Sequence, residues 1–166
     1  MHKIGDKIVY GAAGVMTIVD IREESFGDVS REYYVLTSAV RSSDSLTYVP
    51  ADNENLVASM RPLLTEDEIV MTLKSAENAV PIDWIPENRA RQEFYKKITE
   101  SGDLRSMIAM IHRIKDCGRL REMEGKKNFL SDENAKAKAE RLIISEISVS
   151  LDISEEEARQ LLLNAF

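Results

Sequence analysis

The chain of 166 residues holds one cysteine, Cys117, and two histidines, His2 and His112. A single cysteine excludes a disulfide framework within the chain. With the two histidines it still makes too small a donor set for a Cys/His zinc centre. Glycine (7) and proline (4) are sparse and 43% of residues are hydrophobic, which excludes a disordered or fibrous chain. No apolar run approaches the ~18 residues of a membrane span. The start, Met1-His2-Lys3-Ile4-Gly5-Asp6, lacks the apolar stretch of a signal peptide. These absences predict a soluble protein of a reducing, cytoplasmic compartment, with no membrane attachment, metal or cofactor.

Positive charge is also scarce. There are 22 Lys+Arg against 29 Asp+Glu, a formal net charge of −7. Taken whole, that argues against a nucleic-acid ligand. The distribution argues differently. Residues 81–128 carry 11 of the basic residues against 8 acidic ones, and the stretches on either side are net acidic. Any contact with a polyanion should therefore be local to that stretch.

The apolar period changes once along the chain. Ile8-Val9-Tyr10, then Val15, Ile18, Val19 and Ile21, then Tyr33-Tyr34-Val35-Leu36, then Leu46-Thr47-Tyr48-Val49 read as four short strands. Gly11-Ala12-Ala13-Gly14, Gly27-Asp28 and Ser42-Ser43-Asp44-Ser45 read as the turns between them. Pro50 should stop the fourth strand, because it cannot donate to a ladder. Close spacing of this kind predicts a small barrel or curled sheet.

From Thr65 the period is helical. Thr65-Glu66-Asp67-Glu68 is a capping box, followed by a stripe of Ile69, Val70, Leu73 and Ala76. Pro86 suits a first helical turn, so the next helix is expected from Pro86 to Ser101, stopped by Gly102. Asp103 can cap a helix with Leu104, Met107, Ile108 and Ile111 on one face, ended by Gly118. Ser131 should open a long helix that buries Ala135, Ala139, Leu142, Ile143 and Ile147. Ser154-Glu155-Glu156-Glu157 is a second capping box before Ala158, Leu161, Leu162 and Ala165. The fold class is thus α+β: a β module over 1–60 and an all-α domain over 65–166.

No active site emerges. Gly11 and Gly14 are not followed by the Gly-Lys-Ser/Thr of a phosphate loop. His112 and Cys117, five residues apart on one helix, lie roughly 140° apart around its axis at ~100° per residue. The triplet Glu155-Glu156-Glu157 compensates a helix dipole. Residues 81–105 stand out. The only tryptophan, Trp84, sits just ahead of a helix start, with Arg89, Arg91, Lys96, Lys97 and Arg105 after it. A helix N-terminus offers amides to a phosphate, guanidinium groups hold a nucleic-acid backbone, and an indole can stack on a base. The same residues also fit a core tryptophan beside ordinary i, i+4 surface pairs.

Several blocks, taken in order, resemble the CarD/CdnL family of bacterial transcription regulators. They are Ile4-Gly5-Asp6-Lys7-Ile8-Val9-Tyr10 with Gly14-Val15, then Tyr33-Tyr34-Val35-Leu36, then Thr47-Tyr48-Val49-Pro50 with Asn53 and Arg61. Asp83-Trp84 with Ser101-Gly102-Asp103, and Leu130-Ser131-Asp132-Glu133, complete the series. The resemblance implies a Tudor-like β-barrel module that binds the β subunit of RNA polymerase. It also implies a helical domain that touches promoter DNA, largely independently of sequence. There the family's tryptophan, matched by Trp84, wedges at the minor groove on the upstream edge of the transcription bubble. The DNA-contacting set it suggests is Trp84, Arg89, Arg91, Lys96 and Lys97. The polymerase-contacting set is Glu24, Tyr48, Val49 and Pro50. The three positions after Trp84 are Ile85, Pro86 and Glu87, where many members carry two basic residues. The first module also resembles the polymerase-binding module of transcription-repair coupling factors, without a helicase motif after it. A monomer is expected rather than a strand-swapped dimer, and an adaptor with no DNA contact is the alternative function.

Overall fold

A computed structural model describes residues 2–26, 28–40, 45–75 and 82–165. The expected turn residues Gly27 and 42–44, and also Ala76 and Pro81, lie outside the described residues. The first part is a five-stranded antiparallel sheet. Its strands are β1 (Lys7–Tyr10), β2 (Val15–Phe26), β3 (Val29–Ser38), β4 (Thr47–Pro50) and β5 (Met60–Pro62), with a short helix, α1 (Glu54–Ala58), between the last two. The spatial order is β4-β3-β2-β1-β5. This corrects the expected barrel: among the described residues β4 and β5 do not pair, and the sheet stays open. The helix α1 occupies the chain between the two edge strands. Asn53 caps α1 by accepting from the Leu56 amide at 3.2 Å. Val57 of α1 then packs on the sheet core of Ile8, Met16, Ile18, Tyr34, Leu36, Val49 and Met60.

As expected, β4 ends at Pro50, which is the strand's last residue, opposite Tyr33. The Ala51 amide donates to the Glu32 carbonyl at 2.9 Å. Backbone groups alternate in direction along an antiparallel strand, so the Pro50 nitrogen faces away from β3. A proline is tolerated there because β4 is an edge.

The second part is helical: α2 (Glu66–Lys74), α3 (Asn88–Ser101), α4 (Leu104–Met123), α5 (Leu130–Leu151) and α6 (Glu155–Leu163). Both capping boxes form, at Thr65/Glu68 and Ser154/Glu157. The four α4 stripe residues are each at most 1% exposed and pack with Ala139, Ile143 and Ile147 of α5 and Ala158 and Leu162 of α6. Leu161 instead faces solvent. Gly118 does not end α4. It is buried within the helix, where a Cβ would stand 3.0 Å from Asn128 Nδ2, so the missing side chain admits the turn before α5.

Sheet and helices meet along a polar seam. The Arg61 guanidinium of β5 donates through Nη1 and Nη2 to the two carboxylate oxygens of Glu146 on α5, each at 2.7 Å. Its Nε and Nη2 also reach the Gly102 carbonyl, and Glu146 accepts from the Leu64 amide at 3.1 Å. Glu146 is 1% exposed, so it is a carboxylate satisfied wholly by partners.

Candidate functional site

The segment 82–86 has no regular secondary structure, and Trp84 on it is half-buried. Its indole stands 6.3 Å from the Phe129 ring at an interplanar angle of 23°. The Arg91 guanidinium carbon lies 4.3 Å from the indole centroid and 4.9 Å from the Phe129 centroid. Arg121 stands 3.9 Å from the Phe129 centroid and donates through Nε and Nη2 to the Lys127 carbonyl at 2.9 and 2.8 Å. Two aromatic rings and two guanidinium groups thus form one platform between the start of α3, the end of α4 and the start of α5. Phe129 and Arg121 were not singled out by sequence. The only signal was their place in or beside the net-basic stretch, and the contact depends on the α4–α5 turn.

The start of α3 differs from expectation. Pro86 precedes the helix, and Glu87 is its N-cap. The Glu87 carboxylate accepts from the Arg89 and Ala90 amides at 2.8 and 2.6 Å. These bonds hold its pKa below the usual carboxylate value. The amides expected to receive a phosphate are therefore already occupied by this chain's own anion. Arg91 is corrected as well. It is 1% exposed, and its Nε faces both oxygens of Asp132 at 3.1 and 3.2 Å. Nη1 donates to the Ile85 and Pro86 carbonyls, and Nη2 to Asn88 Oδ1. A guanidinium with every nitrogen engaged and no exposed face has nothing left for a phosphate.

Arg89, Lys96 and Lys97 are exposed on α3. Arg89 pairs with Glu93 at 3.4 Å and Lys96 with Glu100 at 3.6 Å, both solvated i, i+4 pairs of small energetic weight. Residues 124–127 bring Lys126 and Lys127 to the Phe129 end of the platform, with Lys126 paired to Glu124 at 2.6 Å.

On the sheet, Glu24 and Tyr48 come together through Arg22. Arg22 Nε is 2.7 Å from Glu24 and its Nη2 donates to the Tyr48 hydroxyl at 3.0 Å. Tyr33 meets Tyr48 edge-on at 6.2 Å. Pro50 ends the same edge strand. Val49 does not join this face: it is 0% exposed in the sheet core. Its side chain cannot meet a partner, and a charge placed there would test folding rather than docking.

Cys117 is half-buried, and burial pushes its thiol pKa up, away from the thiolate a nucleophile needs. Among the described residues, no group of three His, Cys, Asp or Glu is placed to hold a metal ion. No helix among them is long and apolar enough to cross a membrane.

No curated protein matches the chain. Residues 2–64 match the family of the CarD-like/TRCF RID domain. The match ends two residues after β5, so it spans the whole sheet with α1 and includes Arg61. Residues 2–64 are thus similar to the CarD-like/TRCF RID domain, a kind of module that interacts with the β subunit of RNA polymerase.

Proposed function

We propose that the protein is a transcription regulator. It docks on the polymerase β subunit through its sheet and stabilises the promoter open complex with Trp84 at the upstream edge of the bubble. The observation that carries this reading is the setting of Trp84. A core tryptophan would sit among Met107, Ile111 and Ile143. This one is half-buried outside that cluster, on a cationic and aromatic platform. An indole held this way offers an apolar surface beside positive charge, the pairing that suits a stacked base next to phosphates.

The docking surface is the β4 edge with the Glu24–Arg22–Tyr48 cluster beside it. Strand addition there supplies main-chain bonds, and the flanking side chains supply choice. Docking raises the effective concentration of the helical domain at the promoter, so weak intrinsic DNA affinity suffices in a chain of net charge −7. The bound domain favours the melted promoter to the extent that it binds that state better than the closed one.

Truncation of Trp84 to Ala should leave polymerase docking intact. It should remove roughly 1–3 kcal/mol from the open complex, the scale of one base–aromatic stack, which is about a five- to 150-fold shorter lifetime. A Phe at 84 should restore part of the loss. An unchanged lifetime in a folded Trp84→Ala protein would sink the reading and leave an adaptor that binds polymerase without touching DNA. The exposed cations Arg89, Lys96, Lys97 and Lys127 are few. The log–log salt dependence of DNA binding should therefore be shallow, with a slope of about −2 to −4 at ~0.9 per phosphate contact.

A further inference from the structure

Arg91 differs from every other basic residue near Trp84 in being buried, and its bonds run in two directions. Through Nε it is tied to Asp132 in the first turn of α5. Through Nη1 and Nη2 it is tied to Ile85, Pro86 and Asn88, the strip of chain that follows the indole. Asp132 is itself oriented: Gln92 Nε2 donates to its Oδ1 at 2.8 Å, and the Ser131 hydroxyl lies 3.4 Å from the same oxygen. A planar fork can serve these acceptors at once while keeping its flat face toward two rings, which an ammonium cannot do. An ion pair that only locked the helices together would have no need of the rings. Here the guanidinium carbon stands within 5 Å of both ring centroids.

We infer that Arg91, Asp132 and Phe129 are positioning residues for Trp84. Asp132 fixes the guanidinium; the guanidinium draws the indole against it by cation–π attraction; Phe129 closes the side of the ring next to α5. The part of the indole left uncovered then points in one direction before any ligand arrives, and less of the binding energy is lost to ordering it. The functional half of this inference rests on the proposed role of Trp84 at the melted junction. The positioning half concerns the free protein alone.

Trp84 is the only tryptophan, so its fluorescence reports this site without interference. The full-length protein and its Phe129→Leu, Asp132→Asn and Arg91→Lys variants are compared by emission maximum, acrylamide quenching, thermal unfolding and open-complex lifetime with polymerase. Phe129→Leu keeps the ion pair and most of the apolar volume. It should unfold within a few degrees of the parent, yet be quenched faster and shorten the lifetime by about fivefold, the scale of one cation–π or ring contact. Asp132→Asn should move both readouts in the same direction. Arg91→Lys should not rescue them, despite keeping the charge. Should Arg91→Lys fail to fold, Phe129→Leu decides. Folded Phe129→Leu with parental quenching overturns the positioning. Faster quenching with a parental lifetime overturns its functional half, while a shortened lifetime in Trp84→Ala still upholds the role of the indole. If Trp84→Ala itself has the parental lifetime, the proposed function falls and the quenching data alone judge the positioning.

Discussion

Two arginine–carboxylate pairs divide the molecule. Both carboxylates are on α5: Asp132 in its first turn and Glu146 near its far end. Fourteen residues separate them, about 21 Å along the axis at ~1.5 Å per residue and within roughly 40° of one face. At the far end the guanidinium comes from the sheet, as Arg61 of β5. At the near end Arg91 comes from α3, within the helical domain, and carries an aromatic surface on its back. Similar chemistry therefore does different work. One pair fixes the sheet to α5; the other fixes the platform beside the indole to α5. The sheet and Trp84 are thus each anchored to α5, and the sheet also touches the far end of α3, where the Gly102 carbonyl receives Arg61.

The largest test of this contrast is Arg61→Met, which leaves Glu146 buried without its partner. Losing one member of a buried pair should cost about 3 kcal/mol, near the low end for such pairs because Arg61 is partly exposed. In a chain of this size that is about 6–12 °C in melting temperature. Below the transition, Trp84 emission should stay parental, because the platform pair is untouched. A shifted emission in the folded variant would break the division into two ends.

Gly102→Ala probes the same seam more gently. Gly102 ends α3 at φ +65, its carbonyl receives Arg61, and a Cβ would stand 3.2 Å from Val9 Cγ1. The left-handed backbone and the tight contact together should cost about 1–2 kcal/mol in denaturant unfolding. Full parental stability would mean that the seam is looser than its geometry. Ser154→Ala removes the cap of α6, which packs on the Glu146 half of α5. Its expected cost is about 1 kcal/mol, with no change in Trp84 quenching.

The smallest effect is expected from acid at the platform end. Glu87 caps α3 three residues after Trp84, and its pKa in the folded protein is held below the ordinary value of 4.5 by the Arg89 and Ala90 amides. A depressed carboxylate contributes stability that is present above its unfolded pKa and lost as pH falls through the folded one. Trp84 emission should therefore be steady above about pH 4.5 and begin to change below it, and Glu87→Gln should flatten that response. An identical acid response in Glu87→Gln would assign the change to another group.

Much of this was legible in the sequence where local chemistry decides. Thr65, Asp103 and Ser154 cap as their spacing demands, because a cap needs only residues three apart. The α4 stripe is buried as its 3.6-residue period requires. Trp84 was recognised as the residue to watch. Its support was not, because Arg91 lies on α3 while Phe129 and Asp132 open α5, and only packing brings the two helices together. Arg91 in particular reads in sequence as one more surface cation; only Asp132, 41 residues on, makes its burial tolerable. The strand β5 escaped notice because three residues ending in a proline carry no period. Gly118 was misread as a stop because a helix-interior glycine and a terminal one look alike until the neighbour that needs the space, Asn128, is in place.

The open edge of the sheet has a consequence for life at high concentration. An unpaired strand edge is a standing invitation to polymerise, and proteins that keep one usually blunt it. Here β4 is four residues long and closes on Pro50, whose outward nitrogen has no hydrogen to give. A long neighbour finds few rungs before the ladder is interrupted, so indefinite stacking of copies has no template. A short visiting strand with side chains suited to Tyr48, Arg22 and Glu24 loses little by the same interruption. Under the proposed docking by strand addition, the proline would act as a length filter, set against aggregation and in favour of a brief, matched guest. Replacing it with a residue that can donate would be expected to show first as turbidity on concentration, before any change in the fold.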